Sequence, residues 1–226
     1  MTDVVAGVND APVFTGHGDA AYVLGDGPVT VACGDVAVSD VDSADYAGGS
    51  LTATVTENFH VGDSLTIADG DTIFVSSGSY VMFDADGAGC GAGAIEIGTL
   101  SGGGTSLTVT LNASANNAAV EALTEAIRFE TSDSASDTRS VTFTLNDGDG
   151  TANGGHDFAR FDATVRIDHA LVIVTDNLQI GEHAGATTIS GLSVSDADAT
   201  STETFTISAI TAGISSFRKS RKSSAT

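Results

Sequence analysis

The chain has 226 residues, with 30 acidic against 8 basic side chains, a formal net charge of −22, 41% hydrophobic residues and no tryptophan. That balance repels nucleic acid and anionic membrane surfaces and attracts divalent cations. No apolar run approaches the roughly 18 residues of a membrane span, and Cys33 and Cys90 supply neither a disulfide framework nor zinc spacing, leaving open whether they pair.

The first recognisable element is a joint. In VNDAPV (Val8 to Val13) the Asn and Asp side chains favour turns, and Pro12 holds its predecessor extended. Residues 1–12 are therefore expected to be a linker from a preceding unit, with the chain a piece of a longer array. Short β-branched segments follow, bounded by Gly, Asp, Asn or Ser: VTVACGDVAVSD, LTATVTEN, SLTIADG, TIFVSS, SYVMFD, AIEIGTL, SLTVTLN, SVTFTLND and ARFDATVRI. This is the pattern of an all-β sandwich, here with Greek-key connections. The stretch SANNAAVEALTEAIRFE departs from it. Val120, Leu123 and Ile127 recur at helical spacing behind a cap at Asn116 or Asn117, which predicts one short amphipathic helix across an open side of the sandwich.

Asp86 to Gly104 holds eight glycines. A phosphate-cradling loop needs a strand before it and a helix after it. A strand pattern follows instead, so the stretch reads as a flexible hairpin loop.

An internal repeat begins near His169. VAVSDVDS at 36–43 returns as LSVSDADA at 192–199, a shift of 156 that carries Asp40 to Asp196 and Asp42 to Asp198. The same shift sets Asp26 opposite Glu182, while Asp10 and Asp168 differ by 158. The expected organisation is a sandwich over 13–168, a partial second copy over 169–213, and a basic Ser-rich tail over 214–226. Arg218, Lys219, Arg221 and Lys222 fall in that tail, whereas residues 1–217 contain no Lys. So abrupt a change of composition predicts a tail that is disordered or out of frame.

Calcium is held by about six to eight hard oxygens from carboxylates, amides, carbonyls and water. Three segments offer such donors: Asn9 and Asp10; Asp40, Asp42 and Asp45; and Asn146, Asp147 and Asp149. If the linker enters at the top, the first strand runs down and the second up, which puts Asp40 and Asp42 at the top. The last strand must finish at the bottom, so the loop after its partner, with Asp147 and Asp149, also lies at the top. The bottom collects Asp26, Glu130, Asp133 and Asp168, with Asp196 and Asp198 expected to face them across the joint.

VNDAPVF, SDVDS and RSVTFTLNDGDG…ATVRID resemble the cadherin-like tandem repeats of very large bacterial surface adhesins and RTX-type exoproteins. AVEALTEAIRFETSDSASDTRSVTFTLNDGDG is also similar to the repeat of the chondroitin sulfate proteoglycan and Fras families. The resemblance covers residues 8–168, and 169–213 as a partial copy. It implies a calcium-binding, extracellular, adhesive spacer in which calcium stiffens the joints, with Asp10, Asp40, Asp42 and Asp147 as ligands. The implied partners are adjacent repeats of the same chain and a cell-surface protein or glycan. The second joint reads RIDHALV and departs from the family's Asn-Asp-Ala-Pro, and glycine-rich RTX nonapeptides are absent.

An enzyme is disfavoured. His17, His60, His156, His169 and His183 are scattered, and no HExxH or GxSxG motif is present. The alternative is a carbohydrate- or protein-binding sandwich module, for which Tyr46 or Tyr80 could supply contacts.

Overall fold

The structure, a computed structural model, describes residues 7–88, 93–175, 192–199, 203–206 and 218–221. The chain divides into two units, Met1–Ile167 and Asp168–Thr226. No helix among the described residues is long and apolar enough to cross a membrane.

The first unit is an all-β sandwich with one short helix. Its strands are β1 (Val13–Thr15), β2 (Asp19–Val23), β3 (Val29–Thr30), β4 (Ala37–Ser39), β5 (Ser50–Glu57), β6 (Ser64–Ile67), β7 (Ile73–Ser76), β8 (Tyr80–Phe83), β9 (Ile95–Gly103) and β10 (Ser106–Leu111). The helix α1 (Asn117–Glu125) precedes β11 (Ile127–Glu130), β12 (Arg139–Asn146) and β13 (Phe158–Asp168). Eight strands form one sheet in the order β2-β13-β12-β5-β10-β9-β8-β7. The strands β3-β11-β6 and the pair β1-β4 form the smaller sheets.

Period-two alternation builds the core. Leu51, Ala53 and Val55 of β5, Val141, Phe143 and Leu145 of β12, and Leu107, Val109 and Leu111 of β10 are all buried. They belong to one hydrophobic cluster with Leu65, Ile127 and Phe129 of the three-stranded sheet. Truncating a buried side chain such as Phe143 to Ala would cost about 3–5 kcal/mol. Phe161, the cross-strand partner of Phe143, stacks on it at 4.9 Å and meets Phe14 of β1 edge-on at the same distance. That aromatic row ties the opening strand to the large sheet.

The inward row of β12 ends in charge on both sides. It reads Arg139, Val141, Phe143, Leu145 and then Asp147, every one buried. A buried cation thus closes the lower end of the sandwich and a buried anion the upper end, so both need partners from other loops.

The helix begins where its cap predicts, with the Asn116 side chain accepting from the Ala119 N–H at 3.0 Å. Ala119, Val120 and Leu123 are buried, and α1 packs on β4 and β8. Ile127 is not helical: it is the first residue of β11, because the chain turns at Ala126 to join the sheet. The run VTVACGDVAVSD is not one strand either. It splits into β3, paired with β11, and β4, paired with β1, as the chain crosses between the smaller sheets. Around the crossing, the Cys33 N–H donates to the His17 carbonyl at 2.8 Å. Cys90 lies outside the described residues. Much of the glycine-rich stretch is ordered sheet, since Gly98 and Gly102–Gly103 belong to the β9–β10 hairpin.

In the second unit β14 (Val172–Thr175) pairs with β15 (Leu192–Ser195), and β16 (Glu203–Thr206) with β17 (Arg218–Arg221). The segment expected to be a disordered tail therefore contributes one strand. Glu182 lies outside the described residues.

Candidate metal centres

The linker, the Asp40–Asp42 loop and the Asp147–Asp149 loop meet at one end of the sandwich. Asn9 Nδ2 donates to Asp147 Oδ2 at 3.1 Å and to the His156 carbonyl at 2.7 Å. The His156 N–H returns a bond to the Asn9 carbonyl at 3.1 Å, so this histidine's backbone docks the linker. The Asp10 N–H donates to Asp42 Oδ2 at 3.2 Å. Ser43 Oγ donates to Asp149 Oδ2, joining the two acidic loops. Asp147 has its second oxygen on the Asp149 N–H at 2.8 Å. Asn146 and Asp45 serve their own turns through the Gly148 and Ala47 N–H groups.

Two glycines allow the loops to touch. Gly148 has φ +91°, and a Cβ there would lie 2.5 Å from the Gly49 nitrogen. A Cβ on Gly49 would lie 2.2 Å from the Asn146 carbonyl oxygen. Neither position has room for a side chain.

The electrostatics at this end are those of crowded acid. Asp40 Oδ1 accepts from the Asp42 and Ser43 N–H groups, while Oδ2 is buried with no hydrogen-bond partner. Burial raises the Asp40 carboxyl above its usual range, and the nearby Asp42 carboxylate adds to this against the lowering by those two N–H groups. Tyr46, fully buried, donates to Asn117 Oδ1 at 2.9 Å. Its hydroxyl is pushed well up by burial and by the charges of Asp40, Asp147 and Glu121. Tyr46 is therefore a core residue and not a surface contact for a ligand.

The second unit repeats this motif. Val13 pairs with Ser39 and Phe14 with Val38; Val172 pairs with Ser195 and Ile173 with Val194. The Asp42 N–H donates to Asp40 Oδ1 at 3.1 Å, and the Asp198 N–H to Asp196 Oδ1 at 3.4 Å. The Asp10 N–H donates to Asp42 Oδ2, and the His169 N–H to Asp198 Oδ2 at 3.3 Å. Carboxylate oxygens of Asp168, Asp196 and Asp198 lie within 4.8 Å of one another. The Asp198 carboxyl is raised, first by burial and then by Asp196 and Asp168. Among the described residues no second set of three acidic, His or Cys side chains closes to that distance. In the first unit the donors instead form a hydrogen-bonded chain that includes an amide and a hydroxyl.

The lower end of the first unit is different from expectation. Asp26 is exposed and joins no carboxylate cluster among the described residues. Its carbonyl lies 3.3 Å from the Tyr22 hydroxyl, which donates to the Thr131 carbonyl at 2.9 Å. Glu130 sits within β11, opposite Ser64. Asp133 faces basic side chains: His60 Nδ1 lies 3.4 Å from it and Arg139 Nη2 3.9 Å. Arg139 Nε bonds Asp63 Oδ2 at 3.1 Å, with both side chains fully buried. This is an ion-pair network rather than a bare acidic site. It was not foreseeable, because its members come from the β5–β6 connection, the segment after β11 and the start of β12, and no local motif joins them.

The fold and the clusters define an all-β sandwich protein with repeated acidic loop motifs. Comparison with protein-family models, with curated proteins and with solved structures finds no match.

Proposed function

We propose that the chain is a calcium-binding structural repeat of an extracellular or cell-surface adhesive protein, non-catalytic, in which calcium stiffens the joints between repeats. The observation that carries this reading is the recurrence of one motif. Asp40 and Asp42 have counterparts in Asp196 and Asp198 with matching strand register, and the N–H that Asp10 donates in the first unit is donated in the second by His169, next to Asp168. Sequence similar in both copies is spent on holding carboxylates together, at a cost in repulsion that a divalent cation removes. The donors are hard oxygens, which suits calcium, and the buried, unpartnered Asp40 Oδ2 fits a ligand atom. Asn9, Asp10, Asp40, Asp42, Asp147 and Asp149 would hold the ion in the first unit, and Asp168, Asp196 and Asp198 in the second.

The first-unit ion would act on the linker. Asn9 and Asp10 already bond the two acidic loops, so a cation shared by those loops would fix the angle at which the chain enters. Adjacent repeats are the partners this implies, with a cell-surface protein or glycan as the adhesive target.

The test is a calcium titration of the chain by calorimetry with melting in parallel. A ligand that binds only the folded state adds RT ln(1 + [L]/Kd), about 2.7 kcal/mol at a hundredfold excess over Kd. Heat release with a rise in Tm is expected; neither effect at millimolar calcium would sink the reading. A sandwich that binds sugar or peptide is the competing account. A polar groove of about 350 Å³ on the large sheet, lined by Thr56, Glu57, Ser140, Thr142, Arg160 and Asp162, is where such a ligand would sit.

A further inference from the structure

Asp84 follows β8, the strand next to the β7 edge of the large sheet, and is 1% exposed. Its Oδ1 accepts from the Asp86 N–H at 3.4 Å, and its Oδ2 is buried with no hydrogen-bond partner among the described residues. The Asp86 carboxylate is a close neighbour. A Cβ built on Gly93 would stand 3.5 Å from Asp84 Oδ1 and 3.9 Å from Asp86 Oδ2, so both carboxylates face the same cradle. Gly87, at φ +66°, lies in the left-handed region that favours glycine. The Asp84 carboxyl is raised, first by the facing Asp86 side chain and then by burial.

Among the described residues no basic side chain answers this charge by an ion pair with Asp84 or Asp86. Residues 7–88 hold neither Lys nor Arg. The other buried carboxylates among the described residues face partners of the protein: Asp63 leaves Oδ1 unbonded but pairs with Arg139 through Oδ2, and Asp147 has Asn9 and the Asp149 N–H. Among the described residues of the first unit, Asp84 alone combines near-complete burial, an unused oxygen and a second carboxylate facing it.

We propose that Asp84 and Asp86 form a separate divalent-cation site of the first unit, taking calcium and independent of the acidic end described above. Two carboxylates on a D-x-D-G turn, completed by water, supply hard oxygens on a backbone able to adapt to calcium's loose geometry. Bound there, the ion would brace the turn that follows β8.

Calcium is titrated into the chain at neutral pH, and bound calcium is counted by equilibrium dialysis while amide hydrogen exchange is followed. Calcium should slow exchange at Asp86 and Ala88, whose N–H groups donate to Asp84 and Asp86. Asp86→Asn, at an exposed position, should lose one bound calcium and that local slowing, and so should Asp84→Asn. Asp42→Asn, whatever it loses at the acidic end, should keep the local slowing, so failure at this site is distinct from failure there. Unchanged stoichiometry in Asp86→Asn, or exchange at these amides that ignores calcium, overturns the proposal.

Discussion

Asn9 and Asp147 are joined across 138 residues of sequence: the amide of the entry linker donates to a carboxylate buried at the end of a central strand. The linker is thus anchored to the same side chain that offers charge to a cation. Structural and ligand roles can be separated by substitution. Asp147→Ala should destabilise the chain by about 1–3 kcal/mol even without calcium, because Asn9 Nδ2 and the Asp149 N–H lose their acceptor. Asp42→Asn keeps an acceptor for Asp10 and should cost little stability, yet weaken calcium binding several-fold. Urea denaturation in chelator and calorimetry with calcium read the two effects. Equal calcium affinity in wild type and Asp42→Asn would remove this residue from the site.

The pH dependence has a defined sign. Asp40 holds its proton more tightly in the folded chain than at the unfolded value of 3.8. Between those two values the native state binds more protons, so this group's contribution to stability falls as pH rises through that window. In chelator, Asp40→Asn should gain stability relative to wild type as pH rises from about 4 towards neutrality. Thermal melts of the pair across that range check it; a constant difference would show that Asp40 is not under this strain. Calcium should reverse the order at neutral pH, since only the wild type offers the charge.

Asp63 and Arg139 make the lower end costly to disturb. Asp63→Ala leaves a guanidinium at 0% exposure without its principal partner and should destabilise by about 3–5 kcal/mol. Replacing both, as in Asp63→Leu with Arg139→Met, should recover most of that loss. Chemical denaturation of the single and double variants is the measurement. Calcium affinity at the opposite end should be unaffected in the double variant.

Limited proteolysis should trim the chain towards Asp168. The described strands of the second unit form two-stranded ladders, and independent sheets need three or more strands with a covered face. A resistant fragment extending through Arg221 would show that β16 and β17 belong to a stable body.

Strand-level structure was legible wherever the period-two pattern met a clear turn, as in LTATVTEN, SVTFTLND and ARFDATVRI. Asn116 announced the helix because a cap is a local device. The meeting of Asn9, Asp42 and Asp147 could be deduced from strand direction alone, since direction fixes which loops share an end. What escaped was non-local or hidden by composition. The split of residues 29–39 depends on which sheet each half pairs with, and β-branched residues fit either. Arg139 continues an apolar row, so only the fold could reveal Asp63 as its partner. Asp84 closes the SYVMFD strand pattern and Asp86 opens the glycine-rich stretch, so no single segment marks them as a pair.

The most fragile points of the acidic end carry no charge. Gly49 and Gly148 hold two backbones closer than any side chain permits. Alanine at either would wedge the Asp147 loop away from the segment that follows Asp45, leaving every acid in place and the enclosure open. A survey of mutational tolerance across this chain should therefore find two intolerant glycines beside the acids. Damage there would look like lost metal affinity although no ligand had been touched.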